Sequence, residues 1–92
     1  MTILIGSANK DTASGSVDAT GPIIVSVVGT FKSGIVRVTA DIGSGEATAF
    51  TCSPGDTVKI ARLEFASGVA FKAYLEGVSG IGTEVTVEYI DV

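Results

Sequence analysis

Glu84 and Glu88 stand four positions apart near the end of the 92-residue chain, and paired carboxylates are the groups with which glycosidases work. The surrounding residues alternate as a strand does. On a strand rising about 3.3 Å per residue the two carboxylates lie roughly 13 Å apart, whereas a catalytic pair needs about 5 to 9.5 Å. With Thr86 between them they read as a solvated strand face.

Asp41-Ile42-Gly43-Ser44-Gly45-Glu46 offers carboxylates on either side of a flexible loop, a fragment of what calcium asks for. Calcium takes about six to eight oxygens, so a plain hairpin turn is the better reading. Gly77-Val78-Ser79-Gly80-Ile81-Gly82 has the look of a phosphate-binding glycine loop. That chemistry needs a helix N-terminus behind it, and a strand pattern follows instead. Cys52 is the single cysteine, so it has no partner for an internal disulfide, and it reads as a small apolar residue. The chain has no His, which removes the commonest general base and transition-metal ligand. No residue set identifies a reaction. The expectation is a protein that is not an enzyme, with no catalytic residues, cofactor or metal.

Charge narrows the partners. Six Lys and Arg against ten Asp and Glu give a net charge of -4, and the basic residues are scattered, which argues against nucleic acid. No apolar run reaches the roughly 18 residues that a membrane span needs. Met1-Thr2-Ile3-Leu4-Ile5 is too short for a signal-peptide core, so synthesis in the cytoplasm without export is expected.

The elements that must carry these residues are strands. Apolar residues make up 46% and charged residues 17%, too apolar for a disordered chain. Period-two alternation recurs from segment to segment. Ile23-Ile24-Val25-Ser26-Val27-Val28 is apolar on both faces and predicts a strand covered on both sides. Val36, Val38, Ala40 and Ile42 share one face of the next strand, and Gly43-Ser44-Gly45 closes a hairpin to Ala47–Cys52. Ser53-Pro54-Gly55-Asp56 suits a type II turn. In Thr57–Phe65 the parity slips between Val58 and Ile60 on one side and Leu63 and Phe65 on the other. Either a bulge near Ala61-Arg62 restores both pairs to the core, or a partner chain covers one face. Val69, Phe71, Ala73 and Leu75 face inward, as do Val85, Val87 and Tyr89. The fold class expected is all-β: an antiparallel β-sandwich or jelly-roll-like small barrel of about six to eight strands.

Two parts are expected: an N-terminal strand or arm with a polar tether over residues 1–20, and a β-sandwich domain over 21–92. Gly6 to Thr20 is too polar to form its own core. Ile3, Leu4 and Ile5 then form an apolar hook that pairs with a neighbouring subunit's sheet edge, or else an internal strand of the same sheet. Phe31 and Tyr74 are the aromatics expected to face outward. Scattered rings make a weak sugar platform and suit an interface better.

Asp18-Ala19-Thr20-Gly21-Pro22 entering a Val/Ile strand, Gly29-Thr30-Phe31 closing it, Gly34-Ile35-Val36-Arg37-Val38, Ser53-Pro54-Gly55-Asp56 and Thr83-Glu84-Val85-Thr86-Val87 together give a distinctive style. In that style, short and rich in Gly, Ser, Thr and Val, residues 8–92 resemble small structural proteins of tailed bacteriophages, the capsid cement or decoration class. The resemblance implies a β-sandwich or jelly-roll-like fold, a homo-oligomer (dimer or trimer), location in the virion, and binding to the lattice of the major capsid protein. A tail or fibre component is a neighbouring possibility, and a carbohydrate-binding β-sandwich module is the alternative from another class. Candidate interface residues are Ile3, Leu4, Ile5, Phe31 and Tyr74.

Overall fold

The alternating segments form strands in a computed structural model, which describes residues 1–57 and 59–92. Nine strands follow one another among the described residues, with no helix: β1 (Thr2–Ala8), β2 (Thr12–Ala13), β3 (Val17–Asp18), β4 (Ile23–Thr30), β5 (Ile35–Asp41), β6 (Glu46–Cys52), β7 (Ile60–Leu63), β8 (Ala70–Glu76) and β9 (Glu84–Asp91). They make two antiparallel sheets. Sheet A has the order β1-β9-β4-β7. Sheet B runs β8-β5-β6, with β2 and β3 both pairing along the other side of β8. Taking β2 and β3 as one interrupted strand, eight strands fall in two four-stranded sheets with the strand order of a jelly roll. The all-β sandwich expected from the alternation is the fold. Among the described residues only β5 and β6 are joined as a hairpin within one sheet.

Burial follows the alternation. Ile23, Val25, Val27, Val85 and Val87 from sheet A meet Val36, Val38, Phe71, Ala73 and Leu75 from sheet B, all at 4% exposure or less. Burying each such side chain favours folding by about 1.5 to 3 kcal/mol. Phe71 stacks on Phe65 at 5.3 Å and meets Tyr89 edge-on at 5.1 Å, closing one end of the core.

Several expectations are corrected. Residues 1–20 do not stand apart: they supply β1 to one sheet and β2 and β3 to the other. The apolar hook pairs with β9 of its own chain, because Ile5 opposite Val87 fills the core. The polar segment behind it holds by backbone pairing to β8, which needs no apolar side chains. β4 is covered on one face only, with Val28 47% exposed on the other. Pairing of β7 with β4 is continuous from Ile23–Leu63 to Ser26–Ile60, so no bulge sits at Ala61-Arg62. The parity slip is resolved by leaving Ile60 on the outer face, while Val58 lies outside the described residues. The bulge occurs in β6 instead, where Ala49 is skipped between the pairs Val38–Phe50 and Thr39–Thr48. Ile42 has left the core for the turn. The Ser53–Asp56 turn closes with its backbone bond at 3.0 Å, but Gly55 does not take the positive φ of a type II turn.

Candidate functional site

Two outer faces and one loop cluster carry the polar chemistry and the surplus apolar surface. On the outer face of sheet B, cross-strand register sets Arg37 opposite Tyr74 and Thr39 opposite Lys72. Glu46 reaches across β5 from β6 to accept the Tyr74 hydroxyl at 2.6 Å and the Thr39 hydroxyl at 2.8 Å. Those bonds hold the Glu46 carboxyl below its ordinary value, Tyr74 first and Thr39 next. Arg37 donates to Glu76 at 2.8 Å, a contact that raises its own pKa, and lies 4.6 Å from the centre of the Tyr74 ring. Lys72 lies 5.0 Å from the same ring, and the nearby Tyr74 raises its pKa. A hollow of about 190 Å³ beside Thr39, Glu46 and Lys72 is smaller than the roughly 300 to 1,000 Å³ of small-molecule pockets.

At one end of the sandwich, Thr83 pins the loop between β4 and β5. Its hydroxyl accepts from the backbone of Lys32 at 3.0 Å and Ser33 at 2.8 Å, and donates to the Ser33 carbonyl at 3.0 Å. Asp11 accepts the Val78 amide at 2.8 Å, tying residues 77–83 to the turn after β1. Ile81 projects from this loop, 97% exposed. The glycine run is thus a strand-connecting loop with its polar groups facing its neighbours.

The outer face of sheet A is different in kind. The register places Ile3, Glu88, Ser26 and Ile60 in one row across β1, β9, β4 and β7. Ile90 and Ile24 pair in the row on one side, and Val28 lies in the row on the other. Five aliphatics therefore surround a Ser26–Glu88 hydrogen bond of 3.4 Å. Ile3, Val28, Ile60 and Ile90 are 61%, 47%, 59% and 51% exposed, and Ile24 is half-buried. Arg62 is the cation at the border of this face, paired with Glu64.

The sequence candidates divide accordingly. Ile3 belongs to the sheet A face. Ile5 is 2% exposed and is core, so it is removed from the interface set, while Leu4 is half-buried against the core. Phe31 is half-buried with Lys59 5.6 Å from its ring centre, and Tyr74 belongs to the charged cluster. The structure does not bring these five residues together. Sequence reasoning missed Ile24, Val28, Ile60 and Ile90 as one surface, because their union depends on strand order. The β-branched residues on the second parity of β4 were the available signal.

The carboxylates weighed for metal or catalysis are each engaged. Asp41 accepts the Gly43 amide at 2.7 Å within the hairpin turn, and Glu84 accepts the Ser7 hydroxyl at 2.9 Å. Among the described residues no group of three or more His, Cys, Asp or Glu could hold a metal. Comparison with protein-family models, with curated proteins and with solved structures finds no match to the chain.

Proposed function

We propose that the protein is a non-enzymatic structural component of a phage particle, a cement or decoration protein that binds and stabilises the capsid lattice as a homo-oligomer. The observation carrying this reading is the outer face of sheet A. Four aliphatics drawn from four strands lie open to water, with the half-buried Ile24 beside them, around the Glu88 carboxylate. Covering apolar surface is worth about 25 cal/mol per Å², and contiguous open patches of this kind mark protein contacts. Glu88 at the centre requires a partner that sets a basic or amide donor opposite it, since an unpaired carboxylate buried by docking costs more than the contact returns.

The test is co-sedimentation with empty shells of the major capsid protein from the same genome. Saturable binding that is lost in Ile60→Asp supports the reading. Absence of binding to shells, or binding that Ile60→Asp leaves intact, refutes it. Binding to tails in place of shells would move the protein to another part of the virion. A carbohydrate-binding module has less support, because no aromatic ring is exposed and Tyr74 already carries two cations beside its ring. A glycan array separates the two readings.

A further inference from the structure

Glu88 is half-buried in the middle of the outer face of sheet A, between Ile3 on β1 and Ile60 on β7. Neighbouring strands lie about 4.8 Å apart, so aliphatics stand roughly 5 Å to one side of it and roughly 10 Å to the other. Ile90, two residues on along β9, stands roughly 7 Å away in the strand direction. Water still reaches this carboxylate, and a docked partner would exclude it.

The chain itself engages the group weakly. Among the described residues its one hydrogen bond comes from the Ser26 hydroxyl, long at 3.4 Å and made to Oε1 alone. On sheet B the carboxylates have cations of their own: Arg37 on Glu76 at 2.8 Å and Lys72 at 4.0 Å from Glu46. No described lysine or arginine pairs with Glu88 in that way. Arg62, opposite Ile24 in the next row, is taken by Glu64. Glu84 shares the strand parity of Glu88 and adds a second negative charge to the face.

We infer that Glu88 is the receptor for one arginine side chain of the capsid protein, carried on an apolar stretch that covers the surrounding aliphatics. This rests on the lattice-binding reading and specifies its partner. A purely apolar partner would bury the charge unpaired, at a cost greater than the contact returns. A neutral amide would leave the negative face uncompensated, on a chain that already carries a net -4. Of the two cations, arginine fits better. Oε1, Oε2 and the Ser26 hydroxyl oxygen offer three neighbouring acceptors. A guanidinium presents its N–H groups as a planar fork that grips a carboxylate by both oxygens, and it sheds water more readily than an ammonium. Its long stem packs on aliphatic side chains such as Ile3 and Ile90.

The test measures binding to empty shells of the major capsid protein for the wild type, Ile60→Asp and Glu88→Gln. Glu88→Gln keeps the size of the side chain and removes its charge. It is expected to melt as the wild type does and to bind shells about tenfold more weakly or worse. Phenylglyoxal, which modifies arginine, is then applied to shells with and without the wild type, and the shell peptides are weighed by mass spectrometry. One shell arginine should be shielded by the wild type. Glu88→Gln that binds as tightly as the wild type, or tighter, overturns the inference, and so does shielding of no shell arginine. Both results leave the lattice reading standing as long as Ile60→Asp abolishes binding. A wild type that does not bind shells, or Ile60→Asp that binds as well as the wild type, removes that reading and this inference with it. If Glu88→Gln fails to fold, the shielding measurement on the wild type decides alone.

Discussion

Tyr74 on β8 donates its hydroxyl to both carboxylate oxygens of Glu46 on β6, at 2.6 and 2.9 Å, with β5 lying between the two strands. The pair forms a strap over Thr39, which is 1% exposed although it points away from the core. Arg37 and Lys72 flank the strap, so four side chains from three strands lock the outer face of sheet B.

The strap makes stability depend on pH. Glu46 is held below its ordinary value in the folded chain, first by Tyr74. Its contribution is therefore present above the unfolded carboxylate's pKa and is lost as pH falls through the lower folded value. Glu46→Gln should melt below the wild type at neutral pH, and the two melting temperatures should converge near pH ~3. Thermal melts across that range check this; a gap that widens in acid would contradict it.

Thr83 is 4% exposed and satisfies two backbone amides of the β4–β5 connection. Thr83→Val keeps the shape and leaves both donors without their acceptor, which should cost about 2 kcal/mol in urea denaturation. Thr83→Ser keeps the hydroxyl and should recover most of that loss.

Gly29 and Gly43 both have positive φ, 112° and 116°, but differ in surroundings. A Cβ on Gly29 would overlap the Glu84 carbonyl oxygen of the neighbouring strand, while one on Gly43 meets open space. Gly29→Ala should therefore cost about 3 kcal/mol or more, and Gly43→Ala about 1 kcal/mol, the backbone strain alone. Equal losses in chemical denaturation would show that the close approach of β4 and β9 is not the cause.

Cys52 is fully buried, and burial pushes its thiol pKa up. Reaction with a thiol reagent at mildly alkaline pH should be slow in the folded protein and immediate in denaturant. Fast labelling of the native chain would mean that β6 leaves the sheet readily.

Ile60 and Ile90 are 59% and 51% exposed, so aspartate at either position should change folding stability by no more than about 0.5 kcal/mol. The same substitutions should abolish binding to shells. Denaturation curves and co-sedimentation on the same samples separate the two effects.

What was legible from the residues was whatever depends on neighbours in sequence. Val69, Phe71, Ala73 and Leu75 alternate without exception, and β8 is where they say a strand should be. The Gly43-Ser44-Gly45 hairpin is likewise local, closed by Asp41 on the turn amides. Contacts between distant segments left no such trace. β2 and β3 hold to β8 by backbone bonds between polar residues, so composition alone made Gly6 to Thr20 look untethered. The parity slip in Thr57–Phe65 suggested a bulge that did not form, because an exposed isoleucine on an open face costs less than an irregular strand. Neither the ring of aliphatics around Glu88 nor the Tyr74–Glu46 strap could be read without strand order. Each unites residues from at least three strands.

The position of β9 between β1 and β4 constrains how the molecule is made. Sheet A lacks its central strand until residues 84–91 have emerged from the ribosome, so β1 and β4 must wait with their aliphatics unpaired. A nascent chain stalled before Glu84 should therefore be a good chaperone client and a poor folder.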